Sequence, residues 1–212
     1  MSSMLRIGAI EAGGTKMVLA IGNAEGSIFE REVLPTEEPE KVVPKIIKWF
    51  QKRDISALGV GAFGPTGVNP KLSTYGKILA TPKRAWEGYD FLQALSDGLH
   101  VPIGFDTDVN AACLGEATYG AAKELDNVVY LTVGTGIGAG VLVNGELLHG
   151  MLHPEAGHVP IEKEQDDSLD SVCPYHESCL EGLASGPSIQ KRWGLSAVEL
   201  AEKDEVWDLE ST

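Results

Sequence analysis

Cysteine, aromatic residues and basic charge are all scarce in this sequence of 212 residues. Three cysteines cannot build a disulfide framework, and the odd count leaves thiols or metal ligands to explain. Lys and Arg number 17 against 31 Asp and Glu, a net charge of −14. Phosphate backbones are held by clustered cations, so no nucleic-acid partner is expected. An anionic membrane surface is disfavoured for the same reason. The longest apolar stretch, 128–143, contains four Gly and two Thr and is too short to span a bilayer. The opening MSSMLRIGAI lacks the basic region and long apolar run of a signal peptide, so a cytoplasmic protein is expected.

Apolar residues are plentiful, at 43%. A chain of this size and composition buries roughly 70% of its unfolded surface, and disorder is excluded. The first half alternates strand-like and helix-like text. Strands are expected at 5–10, 17–21 and 27–33, joined by tight turns into a meander. Val42, Val43, Ile46, Ile47 and Phe50 fall on one face of a helix over 39–51. A strand at 57–62, a helix at 89–99, a strand at 103–107 and a helix at 109–119 come next. Sheet text restarts at 127–133, and Asn144-Gly145 marks a hairpin between 138–143 and 146–148. The acidic run 162–170 reads as a solvated loop, and a helical pattern begins near Ser196 and runs on to Ser211.

Four constellations carry chemistry. Glu11-Ala12-Gly13-Gly14-Thr15-Lys16 lies between two expected strands. Paired glycines let the backbone turn its N–H groups on an anion, and Lys16 can neutralise phosphate charge; the alternative is a plain hairpin turn. Gly134-Thr135-Gly136-Ile137-Gly138 looks like a dinucleotide fingerprint, but that motif must open a helix, and here a strand comes next. A phosphate-holding turn between strands remains, and two such loops suggest two jaws around a nucleotide's phosphates. Asp106-Thr107-Asp108-Val109-Asn110 stands where a strand meets a helix. Either Asp could cap that helix, or one could take a proton from an attacking hydroxyl, with Asn110 holding the substrate. His158, Cys173, His176 and Cys179 have the composition and spacing of a closed, tetrahedral structural zinc site. Glu155 and Glu181 flank it as acceptors for sugar hydroxyls. Cys113, in helical text, reads as a core thiol.

In combination and order these motifs resemble the ROK family of bacterial sugar kinases and sugar-responsive repressors. Phe63-Gly64-Pro65, Thr74-Tyr75-Gly76, Thr81-Pro82-Lys83, His153-Pro154-Glu155 and Cys173-Pro174-Tyr175-His176 resemble its fructokinases in particular. The resemblance runs from about residue 6 to the last residue. It implies an α/β, two-lobed actin-like ATPase fold, ribonuclease H-like and hexokinase-type, with the second lobe incomplete at its C-terminus. Residues 1–110 would form the N-terminal lobe and 111–212 a partial C-terminal lobe. Asp108 would be the catalytic base. Gly13, Gly14, Thr15 and Lys16 would form one phosphate loop, and Gly134, Thr135, Gly136 and Gly138 the other. Gly64, Pro65, Asp108, Asn110, Glu155, His158 and Glu181 would border the sugar. His158, Cys173, His176 and Cys179 would bind structural Zn²⁺, and Mg²⁺ would accompany ATP.

The implied reaction is ATP-dependent phosphorylation of a hexose, D-fructose to fructose 6-phosphate first. Glucose or mannose as acceptor, and a sugar-binding remnant without turnover, are the alternatives. The resemblance also implies a homodimer. Many members carry Asp where this chain has Glu11, a position that normally helps hold the metal. They also continue into a glycine-rich adenosine-binding segment and a last helix. A repressor of the family carries a helix-turn-helix domain ahead of its first phosphate loop. Ten residues before Glu11 and an acidic chain do not lead one to expect that form.

Overall fold

The computed structural model describes residues 5–81, 83–150 and 153–203. Pro82 of the Thr81-Pro82-Lys83 motif, and the helical pattern beyond residue 203, lie outside them.

The N-terminal meander forms as the turn signals predict. Strands β1 (Ile7–Ala12), β2 (Lys16–Gly22) and β3 (Ile28–Pro35) pair antiparallel in sequence. Helix α1 (Pro39–Gln51) then carries the chain to β4 (Ala57–Ala62), which pairs parallel with β1 on its other edge. Helix α2 (Phe91–Leu99) leads to β5 (Ile103–Thr107), parallel to β4, and the sheet order is β3-β2-β1-β4-β5. Parallel neighbours require such crossovers, and helices supply the apolar cover. Val42, Val43, Ile46 and Phe50 of α1, with Phe91 and Leu95 of α2, bury against Ile10, Leu19, Val60 and Phe105 of the sheet. Trp86, almost fully buried, packs edge-to-face on Phe63, Tyr89 and Phe91 and donates its Nε1–H to the Glu37 carbonyl at 2.9 Å.

Helix α3 (Asp108–Tyr119) continues from β5 without a loop. Glycine permits its close approach on two sides. A Cβ at Gly61 of β4 would lie 2.8 Å from Ala111 Cβ, and one at Gly140 would lie 2.2 Å from the Val109 carbonyl oxygen. Cys113 on this helix is buried, as a core thiol should be.

A second sheet holds β6 (Val128–Val133), β7 (Ile137–Val143) and β8 (Glu146–Leu147) in that order, with the Asn144-Gly145 turn joining β7 to β8. Val129, Leu131 and Val133 on β6 are exposed, an apolar strand face with no covering layer among the described residues. Three further helices complete the described chain: α4 (Leu180–Ala184), α5 (Gly186–Trp193) and α6 (Ala197–Glu202). Ser196 and Glu199 close a capping box at the start of α6.

The acidic run 162–170 is a loop with Glu162, Glu164, Asp166 and Asp170 exposed, as expected, but it is anchored at two points. Asp167 accepts two hydrogen bonds from Arg192 of α5, at 2.9 and 3.0 Å, and Leu169 is buried. Those bonds hold the Asp167 carboxyl down at about 2. By compactness the chain divides into one unit of Met1–Val129 with Gly140–His153 and another of Tyr130–Ala139 with Pro154–Thr212. Among the described residues, no helix is long and apolar enough to cross a membrane.

Candidate functional site

In the first unit, Gly13, Gly14 and Thr15 form the turn between β1 and β2. The Gly13 N–H donates to the Lys16 carbonyl at 3.0 Å, and a Cβ at Gly13 would come within 2.8 Å of that oxygen. Only glycine closes so tight a turn without displacing it. Thr36 braces the loop from β3's end: its N–H donates to the Thr15 carbonyl at 3.0 Å and its hydroxyl to the Gly13 carbonyl at 2.7 Å. Gly14, Thr15 and Lys16 stay exposed. The Lys83 side chain lies beside the loop, its Cε 3.7 Å from where a Gly14 Cβ would sit. In the sequence Lys83 stands out only as part of a motif, and its place next to Gly14 depends on the chain returning from residue 62 through a long connection.

Asp108 opens α3, yet neither Asp106 nor Asp108 caps it. Thr107 does, its hydroxyl accepting from the Asn110 N–H at 3.1 Å. Both carboxylates are thereby released from that structural duty. Asp108 Oδ1 accepts from the Val109 N–H at 2.9 Å. Burial pushes its carboxyl above the usual carboxylate range; the Val109 N–H opposes this, and the charge of Glu11 adds to it. Asp106 accepts from the Thr107 N–H at 2.8 Å and the Asn110 Nδ2 at 2.7 Å, and its other oxygen lies 2.6 Å from His149 Nε2.

Asn110 is fully buried, and its Oδ1 has no hydrogen-bond partner among the described residues. A buried orphan acceptor costs about 1–3 kcal/mol unless a donor reaches it, and a substrate hydroxyl is such a donor. Gly64 and Pro65 are joined by a cis peptide bond, and a Cβ at Gly64 would lie 3.3 Å from His153 Nε2.

In the second unit, Gly134 to Gly138 turn from β6 directly into β7. The dinucleotide fingerprint is therefore excluded, because the loop opens a strand where that motif opens a helix. The Gly134 N–H donates to the Gly136 carbonyl at 2.9 Å, and the Gly186 N–H to the Gly134 carbonyl at 2.8 Å. The Ile137 N–H donates to Glu181 Oε2 at 2.9 Å. Thr135 is exposed. Glu155 is also exposed, just before a short 3-10 turn over Ala156–His158.

The four expected metal ligands converge. The donor atoms of His158, Cys173, His176 and Cys179 all lie within 4.8 Å of one another. Cys173 Sγ is 3.7 Å from His158 Nδ1 and 3.5 Å from His176 Nδ1, and Cys179 Sγ is 3.9 Å from His158 Nδ1. Zinc bonds of about 2.3 Å to sulfur and 2.0–2.1 Å to nitrogen, set tetrahedrally, require sulfur–nitrogen edges of about 3.6 Å. The residues therefore fit Zn²⁺ in both donor chemistry and spacing. His158 turns its other nitrogen, Nε2, toward Glu181 Oε1 at 4.0 Å. Cys179 also caps α4, accepting from the Gly182 N–H at 3.3 Å.

The model of the ROK family matches residues 7–209. A Bacillus subtilis protein is 49% identical over 204 residues, covering 96% of this chain and 68% of its own length. The fructokinase of Pediococcus pentosaceus is 42% identical over 203 residues, 96% of this chain and 70% of the relative. Among solved structures, a ROK glucokinase from Streptomyces griseus in complex with glucose and AMPPNP aligns with a TM-score of 0.71 at 25% identity. That alignment covers 88% of this chain and 59% of the glucokinase. The α/β fold is thus of the ROK, hexokinase-type actin-like kind, and its second lobe is incomplete beside these longer proteins.

Proposed function

The chain belongs to the ROK family, and from that we propose that it transfers the γ-phosphoryl group of MgATP to a hexose, D-fructose first, giving fructose 6-phosphate. The observation that carries this reading is the β5–α3 junction. It fixes Asp108, its carboxyl pushed above the usual carboxylate range by burial, in the same first helical turn as a buried Asn110 whose amide oxygen has no donor among the described residues. A base with a raised pKa suits proton transfer near neutral pH. Fructose is favoured over other acceptors because the Pediococcus relative named a fructokinase is 42% identical.

In the reaction, Asp108 accepts the proton of the hexose hydroxyl. The freed oxygen bonds to the γ-phosphorus while the bond to the β-phosphate oxygen breaks, and ADP leaves. Gly64, Pro65, Asn110, Glu155, His158 and Glu181 would bind and orient the sugar. The loops of Gly13, Gly14, Thr15 and Lys16, and of Gly134, Thr135, Gly136 and Gly138, would hold phosphate oxygens through the N–H groups not already bonded within the turns, one hydroxyl each and the Lys16 ammonium. Mg²⁺ arriving with ATP would offset charge on the phosphoryl oxygens. Zn²⁺ held by His158, Cys173, His176 and Cys179 would be structural, because four protein ligands close the site. The same reading divides the chain into lobes at 110/111 and includes a homodimer and action in the cytoplasm.

The test is ADP release by the purified chain with MgATP and, in separate reactions, fructose, glucose, mannose or no sugar. Fructose-dependent release supports the assignment. Release with glucose or mannose alone moves the acceptor, and release with no sugar dependence contradicts a hexose kinase.

A further inference from the structure

Glu181 is expected to meet a sugar, and its carboxylate also makes contacts inside the protein. Oε2 accepts from the Ile137 N–H at 2.9 Å, and Oε1 lies 4.0 Å from His158 Nε2. The glycine loop is thus tied to the helix that begins at a metal ligand, since Cys179 caps α4 and Glu181 stands in its first turn. A second strap runs from the next helix, where the Gly186 N–H donates to the Gly134 carbonyl at 2.8 Å. Gly136 is shaped for this contact: a Cβ there would lie 2.6 Å from Glu181 Oε2.

The geometry points to Glu181 as a positioning residue that couples the His158/Cys173/His176/Cys179 cluster to the Gly134–Gly138 loop, so that metal occupancy sets the order of that loop. Metal binding fixes His158 and Cys179; both bear on Glu181, one through space and one through the start of α4. Glu181 then holds the Ile137 N–H, and with it the turn that presents the neighbouring N–H groups. A carboxylate acceptor on a backbone N–H is a charge-assisted bond, stronger than a neutral one. Outer partners of this kind orient metal ligands and are themselves oriented by them. For catalysis the consequence is that metal loss acts on the phosphates of the nucleotide as well as on the sugar. That consequence rests on the loop being a phosphate loop; the coupling itself does not.

Amide hydrogen exchange at Ile137 reads the coupling without any substrate. In the zinc-loaded chain, Glu181→Ala accelerates exchange at Ile137 by at least ~10-fold, with one zinc per chain retained and exchange in β1 and β4 unchanged. Glu181→Gln, whose amide oxygen still accepts, keeps exchange within ~3-fold of the parent. Zinc removal accelerates Ile137 exchange in the parent and adds little in Glu181→Ala, because one path carries both effects. Should Glu181→Ala not fold, Gly136→Ala breaks the same contact from the other side. Unchanged exchange in the variants, or zinc removal acting equally in parent and variant, overturns the proposal. The kinase assignment stands or falls separately, on sugar-dependent ADP release.

Discussion

The side-chain amide of Asn110 donates to Asp106 Oδ1 at 2.7 Å, which fixes which end of that buried amide is left to accept. His149 Nε2, 2.6 Å from Asp106 Oδ2, holds the carboxylate from the far side. Asp106 is therefore a positioning residue for Asn110. Asp106→Ala frees the Asn110 amide to turn and removes charge-assisted bonds, at a cost of about 1–3 kcal/mol in denaturant unfolding. In kinetics it raises the hexose KM by about 10-fold, the equivalent of ~1.4 kcal/mol, and changes kcat by less. A fall in kcat with KM unchanged would place Asp106 in the chemical step instead.

Asp108 carries two opposed consequences. On the proposed reading of Asp108 as general base, Asp108→Asn lowers turnover by at least ~100-fold. Its raised carboxyl means that the folded chain binds this proton more tightly than the unfolded chain does. The folded state is thus penalised above the raised pKa, and relieved as pH falls through it toward the ordinary carboxylate range. Asp108→Asn removes the penalty. The variant melts above the parent at pH 8, and the gap narrows as pH falls. Thermal unfolding of both proteins across pH 4–8 checks the sign, and a gap that widens on acidification would be inconsistent with burial as the cause.

Chelation tests the four-ligand cluster. One zinc per chain is expected by elemental analysis, and Cys179→Ala, which removes both a ligand and the α4 cap, loses it. On the proposed reading His158 also borders the sugar, so the stripped chain is expected to bind hexose more weakly. If zinc leaves and hexose affinity is unchanged, the metal does not organise Glu155 and Glu181.

Gly140 tests the seat of α3. An added Cβ would lie 2.2 Å from the Val109 carbonyl oxygen and 2.7 Å from Cys113 Cβ. Neither atom is the end of a flexible side chain, so Gly140→Ala destabilises by about 1–3 kcal/mol, as overpacking does. The displaced helix carries Asp108 with it, and turnover falls too. Denaturant midpoints and ADP release, measured together, separate this from a purely local loss.

Most of the first unit was legible in the sequence because period and punctuation agreed: the α1 stripe, the tight turns of the meander and the β5-to-α3 passage all form where expected. Strand β1 is displaced, ending at Ala12 rather than residue 10, because a charged residue does not stop a strand. Glu11 sits on an exposed position paired with Val18, while Leu5 at the other end is left exposed. Helices α4 and α5 were not legible. Five and eight residues carry too little periodicity, and α4 takes its start from a cysteine cap. The metal cluster was readable from spacing alone. The pairing of Asp167 with Arg192, and of Glu181 with Ile137, joins residues 25 and 44 apart, which only the folded chain shows.

The most direct measurement is ³¹P NMR of reactions containing the chain, MgATP and fructose, run in parallel with Asp108→Asn. The phosphate monoester resonance of fructose 6-phosphate, growing with ADP in the parent and at least ~100-fold more slowly in the variant, is the expected result. Inorganic phosphate as the sole product, or equal rates in the two proteins, would contradict phosphoryl transfer to a hexose with Asp108 as its base.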